Sequence, residues 1–426
     1  MKATLYACLL TVGTAALLAQ QPVDPKELLA KARELIVDRD EHLPNYVCVQ
    51  TVSRYYFKPL HPRHPPAPCS QITALHNGNA SPVKLYASDR LRFQLKVSRG
   101  MEIGTWASAS QFSDRSIFEL TGGGAYGTGT LGAFIGDIFG IGTYEFMGED
   151  VRDSFVAYGY SVPVGASHYQ VKSGSDWNTT GYSGVFWIDS KSKELRRLLV
   201  DAKEMPPETG GCEAATSVDY SDVKVGLGKF LLPLRSTMRM VMADGSETHS
   251  TAVYSGWREY HGEAVIRFDG GSTTAGVEAP APAAAPFPAA LSLSLALTSP
   301  IDTQTAAAGD IVTAKLRKPL RFGKRLLAPE GAMVEARIVQ MQHWLAKPQY
   351  FKICLTLEKL ETHGVATPLY AKLAHEAAPS TIHLPPAGQP DRVAVLVFPT
   401  DKSRYIVPAG YQTNWITVKP PLEERK

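Results

Sequence analysis

GYSGVFWIDSKSKELRRLLV, residues Gly181–Val200, is the stretch that decides the fold of this chain. Two apolar, aromatic-rich runs flank the polar segment Asp189–Glu194, and that arrangement predicts a β-hairpin. Side chains alternate along a strand, so Tyr182, Phe186 and Ile188 share one face of the first run and Val185 and Trp187 the other. Bulk on both faces predicts a strand lying between two layers, with Trp187 either in the core or lining a groove. The second run passes Arg196 and Arg197 and continues as Leu198-Leu199-Val200.

Working outward, the same pattern repeats. Phe155–Val162 and His168–Lys172 precede the hairpin. Ala215–Val225, Lys229–Met242, Thr248–Tyr254 and Glu263–Phe268 follow it, and Ala243-Asp244-Gly245 is a tight turn signal. Upstream, Asn45–Phe57 reads as a strand. In Asp89–Ser98, Leu91, Phe93, Leu95 and Val97 face one way, and Arg90, Arg92, Gln94 and Lys96 face water. Asp24-Pro25-Lys26-Glu27 is a helix start, with an acidic cap, proline at the first turn and glutamate at the third position. Leu28, Leu29, Ala32, Leu35 and Ile36 then recur at helical spacing to about His42. A long helix and a long meander imply a mainly β protein whose curved sheet wraps that helix.

The chain of 426 residues, 44% hydrophobic and 20% charged, is long enough for more than one core. Its net charge of +3 calls for no nucleic acid partner. From Leu291 onward 17 Lys and Arg stand against 11 Asp and Glu, a local excess of +6. Residues 1–20 read as a signal peptide, with Lys2, the apolar run Leu5–Leu18 and small residues Ala15–Ala19 before a cut. Leu5-Tyr6-Ala7-Cys8 looks like a lipoprotein-type cleavage box but comes early, so a cleaved soluble chain is the expectation and lipidation at Cys8 the lesser alternative. No transmembrane helix is expected in the mature chain, because no later apolar run reaches the ~18 residues a span requires. Export implies an oxidising compartment, so the mature cysteines Cys48, Cys69, Cys212 and Cys354 are candidates for pairing. Cys48 and Cys69 flank the proline-rich Pro59–Pro68 and are the favoured bridge over Cys48–Cys212. Cys354, in the apolar run Tyr350–Leu357, reads as a buried free thiol.

Gly127-Thr-Gly129-Thr-Leu-Gly132 matches the dinucleotide fingerprint letter for letter. Its context does not, since the helix after it is short, carries Gly136 and Gly140, and leads into no βαβ unit. The segment is expected instead to be a glycine loop leading into a short apolar helix, Leu131–Phe139, that plugs the sheet. No cofactor is expected. His61 and His64 on the proline loop lack a third ligand, so no metal is expected either. Nucleophile elbow, zincin, Walker and zinc-cysteine spacings are all absent. Asp219 and Asp222 are the carboxylates close enough in sequence to be weighed as an acid–base pair. No catalytic residue is assigned.

Gly184, Trp187, Ile188, Asp189, Leu195 and Arg197, with the export signal, the helix and the meander, make residues 24–269 resemble the half-open β-barrels of the periplasmic lipoprotein-carrier (LolA/LolB-like) superfamily. The resemblance implies an N-terminal half-barrel wrapped on its long helix, with an apolar pocket to which Phe93, Phe186 and Trp187 are assigned. The proline loop, the glycine segment and everything after the meander depart from that pattern. Residues 270–290, rich in Pro, Ala and Gly, read as a linker. Residues 291–420 read as a smaller C-terminal β-barrel or sandwich, in which Asp310–Leu316 pairs with Met333–Val339. Gly309–Leu316 and Leu327–Arg337 are similar to the small β-barrels of TrbI/VirB10-like envelope proteins. Arg317, Lys318, Arg321, Lys324 and Arg325 cluster in the connection, read as a solvated loop before an anionic-lipid or partner contact. The functional expectation is a non-enzymatic exported protein, periplasmic or outer-membrane-associated, whose half-barrel binds a lipid, an acyl chain or a lipoprotein. The alternative is an interaction module docking on an envelope protein through the C-terminal domain, and an exported enzyme ranks third.

Overall fold

The computed structural model describes residues 24–61, 67–78, 82–98, 101–109, 117, 131–150, 154–173, 176–203, 205–260, 286–374 and 392–420. The signal segment, His64, Gly127, Gly129, the strand expected at 263–268 and residues 270–285 of the linker lie outside them. No described helix is long and apolar enough to cross a membrane.

The protein is mainly β, and its strands join in antiparallel order. The first twelve are β1 (Tyr46–Pro59), β2 (Val83–Ser98), β3 (Met101–Trp106), β4 (Thr143–Asp150), β5 (Phe155–Val162), β6 (Gln170–Ser173), β7 (Asp176–Thr179), β8 (Tyr182–Asp189), β9 (Leu195–Ala202), β10 (Gly211–Val225), β11 (Gly228–Met242) and β12 (Glu247–Glu259). Apart from the small β6–β7 hairpin they lie side by side as β4-β5-β8-β9-β10-β11-β12-β1-β2-β3. The helices are α1 (Pro25–Glu41), α2 (Cys69–His76) and α3 (Leu131–Ile141).

The central hairpin is β8–β9, and its motif residues have local causes. Asp189 Oδ1 accepts the backbone N–H groups of Lys191 (2.9 Å) and Ser192 (3.0 Å), which closes the turn. Ile188 and Leu195 are fully buried on the face that meets α1. Gly184 is required there because a Cβ would come within 1.9 Å of the Leu199 carbonyl oxygen, which already accepts the Tyr160 hydroxyl at 2.7 Å. Arg197 pairs with Asp219 at 2.6 Å on the outer face.

α1 begins where Asp24 Oδ1 accepts the Lys26 N–H at 2.9 Å. Its buried stripe is Leu28, Ala32 and Ile36, one residue per turn, packed on Val156, Tyr158, Phe186, Ile188, Leu195 and Leu198 of the sheet. Leu29 and Leu35 sit at the margin. At the C-terminal end, Arg39 reaches the buried Glu194 of the hairpin turn at 2.9 Å and locks the helix to it.

The disulfide joins Cys69 to Cys212, with Cα atoms 5.1 Å apart, and not Cys48 to Cys69. Closeness in sequence misleads here because β1 runs extended from Cys48 to Pro59. At the rise of a strand that carries the chain roughly 35 Å away. Cys69 stands instead in the first turn of α2, against the start of β10. Cys48 and Cys354 are buried free thiols.

The remaining strands are β13 (Ser292–Leu297), β14 (Ile301–Asp302), β15 (Ile311–Leu316), β16 (Leu320–Phe322), β17 (Arg325–Ala328), β18 (Met333–Trp344), β19 (Tyr350–Thr362), β20 (Val365–Pro368), β21 (Ala371–Leu373), β22 (Ala394–Pro399), β23 (Ile406–Val407) and β24 (Gln412–Thr417). Ordered β22-β19-β18-β15-β13-β24-β21, they enclose a core whose buried members all fall between Leu293 and Trp415. β15 pairs with β18 as the sequence suggested.

The two sheets are continuous along one edge of β2. Asp89, Ser88 and Ala87 pair with Gln342, His343 and Trp344 of β18. The Arg92 N–H donates to the Ala308 carbonyl (2.6 Å) and the Ala308 N–H to the Arg90 carbonyl (2.8 Å), after which β3 takes over the edge. The face of β2 expected to be wet is therefore partly covered. Arg92 pairs with Asp310 at 2.5 Å and donates to the Thr305 carbonyl at 3.1 Å, and Arg90 donates to the Gln304 carbonyl. Arg337, buried, donates to the carbonyls of Ala107 (2.5 Å) and Gly309 (2.7 Å) and pairs with Glu358.

Candidate functional site

The face of the sheet covered by α1 and α3 carries the hydrophobic cluster richest in aromatic rings among the described residues. Register places Tyr158 opposite Phe186 and Phe186 opposite Leu198, one row across β5, β8 and β9. Phe186 is fully buried; it stacks on Tyr158 (5.3 Å between centroids) and meets Phe139 of α3 edge-on at 5.0 Å. Tyr144, Tyr160 and Tyr182 complete the floor. The hydroxyls are committed inward: Tyr158 donates to the Pro25 carbonyl at 2.7 Å and Tyr144 to the Ile138 carbonyl. Burial pushes the Tyr158 and Tyr169 phenols up to about 12 and Tyr160 higher, so they serve as donors and not as bases.

α3 covers this floor. Ile135, Ile138 and Phe139 are buried against it, and Gly136 and Gly140 face outward. Asp137 is the helix's one charged residue, and its side chain is 4% exposed. Its Oδ1 lies 2.5 Å from His168 Nδ1, and its Oδ2 accepts from the His168 N–H (2.8 Å) and the Tyr182 hydroxyl (3.1 Å). A buried carboxylate paired this way is satisfied, and it pins α3 to the segment before β6. An Asp–His pair also occurs in acyl-transfer sites, but the serine next to this one in the chain does not complete one. The neighbouring Ser167 gives its proton to the Thr180 carbonyl at 2.6 Å and accepts the Tyr169 N–H at 3.0 Å. Sequence reasoning passed over Asp137; the available signal was a lone acid inside LGAFIGDIFGI.

The three residues assigned to a pocket do not meet. Phe93 lies in a second cluster, stacked on Trp106 at 5.0 Å and packed near Cys48, Val52, Leu91 and Leu95. Trp187 is half-buried on the opposite face of β8 from Phe186, beside Ala157 and the exposed Arg197, so it does not belong to that floor. Around Phe93 the face turns polar. Gln50 donates to the Tyr254 hydroxyl at 2.9 Å, and Arg54 forms a two-pronged pair with Asp89 (2.8 and 2.6 Å). Glu102 Oε1 is shut away from water without a hydrogen bond partner, although the side chain as a whole is only partly covered. Burial pushes that carboxyl up to about 7.

Asp219 and Asp222 are drawn to different cations, Arg197 and Arg39, and form no acid–base pair. A third charged cluster lies beside the disulfide. Glu247 accepts from His249, Arg239 (3.1 Å) and His76, and holds the end of α2 on β12. His61 is exposed. Among the described residues no group of three His, Cys, Asp or Glu is placed to hold a metal ion.

No family profile and no curated protein matches the chain. Two solved structures are similar to it. One is a LolA superfamily protein from Nitrosomonas europaea, 13% identical, with 56% of this chain and 95% of that one covered at a TM-score of 0.24. The other is a protein domain assigned to outer membrane lipoprotein sorting, from Vibrio parahaemolyticus, 11% identical, with 56% and 94% covered at 0.27. Superposition at that level does not define a shared fold.

Proposed function

We propose that this is an exported, non-enzymatic envelope protein that holds a lipid or acyl chain on the concave face of its N-terminal sheet, with α3 as the cover the chain displaces. The observation that carries the reading is α3 itself. It is an eleven-residue helix resting on an aromatic floor, with Asp137 as its one charged residue. Gly136 and Gly140 each weaken such a helix by ~1 kcal/mol relative to alanine, and a helix this short is marginal outside its packing. An acyl chain laid on Tyr158, Tyr160, Tyr182 and Phe186 would substitute apolar contact for apolar contact. The intrachain disulfide supports an oxidising compartment. The 24–269, 270–290 and 291–420 division also belongs to this reading, with the second domain fixed on the edge of the first.

The test is mass spectrometry of organic extracts from the purified mature chain, together with displacement of a fluorescent fatty acid. A near-stoichiometric lipid, and tighter probe binding by Asp137→Asn as the cover loosens, are expected. A clean extract and a probe that neither wild type nor Asp137→Asn retains would overturn the proposal.

A further inference from the structure

The connection between β15 and β18 is not a plain loop. β16 and β17 form a hairpin in which Leu320 pairs with Ala328, Arg321 with Leu326 and Phe322 with Arg325, turning at Gly323-Lys324. Its root is fixed: Leu320 and Ala328 are buried in the second domain's core, and Leu327 packs against it. Everything beyond the root stands in solvent, residues 321–326 without exception, as do Arg317 and Lys318 before it.

Two properties of that tip coincide. Arg317, Lys318, Arg321, Lys324 and Arg325 bring five cations into nine residues, and Glu330 is the only carboxylate between Ile311 and Val334. Among the described residues none of the five is in an ion pair, unlike Arg337, Lys359 and Arg404 of the same domain. Amid these charges stand two large apolar side chains, Phe322 at 56% and Leu326 at 48% exposure. A single exposed apolar residue is ordinary; two on one hairpin tip amid unpaired cations ask for an environment that is apolar and anionic together.

We propose that the β16–β17 hairpin is a membrane-docking element that seats the second domain on an anionic phospholipid surface. Register separates this occupant from the others. Phe322 shares a face with Arg325, and Leu326 shares the opposite face with Arg321. A flat protein surface would cover one face and leave the other apolar side chain in water. A tip entering a bilayer end-on wets neither, and it leaves the arginines and lysines at the level of the phosphates. A nucleic acid would answer the charge and leave Leu326 unused. The proposal stands apart from the carrier reading, since the hairpin lies in the other domain and needs no ligand on the concave face.

Sedimentation of the full mature chain with vesicles tests it. Binding is expected to vesicles of phosphatidylcholine mixed with phosphatidylglycerol and not to phosphatidylcholine alone, and to weaken as salt rises. Arg321→Gln, Lys324→Gln and Arg325→Gln together should lower the partition roughly hundredfold, at about fivefold per cation. Phe322→Ala, which leaves the charge intact, should lower it about tenfold. Melting temperatures equal to wild type would show that these exposed changes leave the fold alone. The lipid recovered in an organic extract reports separately on the carrier reading. Failure of the wild type to bind anionic vesicles overturns the membrane reading. So does a triple variant that binds like wild type. A Phe322→Ala chain that binds as well as wild type while heparin displaces both would also overturn it, and would point to a polyanion partner.

Discussion

Phe186 and Trp187 are neighbours in the chain with opposite environments, and their substitutions should separate. Phe186 is fully buried among Tyr158, Phe139 and Leu198, so Phe186→Ala should cost about 3–5 kcal/mol, as other large-to-small core changes do. Trp187, half-buried on the outer face, should cost about 1 kcal/mol on truncation. Urea unfolding of both variants measures this, and equal losses would contradict the assigned faces. Two carboxyls set opposing pH limbs. Burial alone would raise Glu247, but hydrogen bonds from His249, Arg239 and His76 outweigh it and hold the group at about 2, below its ordinary 4.5. Its contribution is present above about 4.5 and lost as pH falls through about 2. Glu102 is pushed the other way, to about 7, so its contribution is full below 4.5 and fades as pH rises through 7. Melts from pH 2 to 8 should therefore show Glu247→Gln flattening the acid limb and Glu102→Gln the neutral one. A Glu102→Gln profile parallel to wild type would remove the buried-carboxyl account.

At the scale of elements, the local signals carried far. The acidic cap and i, i+4 stripe of α1, the strand Phe155–Val162 and the β8–β9 hairpin were legible because propensity, period and turn chemistry agree within each segment. The plug helix α3 was legible from its apolar run, while the acid that anchors it was not, since His168 lies 31 residues away and only the sheet brings it close. α2 and its disulfide were missed for the same reason: proline density marks a break, and nothing local tells where the chain returns. The disulfide closes a separation of 143 residues, and loops that long gain the most from closure. Reduction, or Cys212→Ser, should cost about 2–5 kcal/mol. Non-reducing peptide mapping should recover one bridged pair, Cys69 with Cys212, and a Cys48-containing bridged peptide would refute the assignment.

For the whole molecule, the linker read at 270–290 lies largely outside the described residues, and nothing in the composition tells how the hydrophobic clusters on either side of it meet. The docking rests on backbone groups of β2 and on Gly309, none of which has a sequence signature. Gly309 holds φ at +105°, and a Cβ there would stand 2.1 Å from the Arg92 carbonyl oxygen and 3.1 Å from the Trp106 ring. Any side chain at 309 must push residues 308–310 off the edge of β2. Arg337 adds one hydrogen bond that crosses to Ala107 and a second to Gly309 on its own side, and removing the buried guanidinium strands both carbonyls. A domain attached only by its linker would drift away once that linker is cut. This one should not, because β18 and residues 304–310 pair with an edge strand that would otherwise expose its hydrogen-bonding groups. Limited proteolysis within 270–290 should therefore yield two fragments that elute together from a sizing column in the wild type. The same cut in Gly309→Ala should let them separate, while each fragment alone keeps a cooperative melt from its own core. Wild-type fragments that part on cutting would mean the shared edge contributes too little to hold the domains, and the continuous sheet would no longer explain their arrangement.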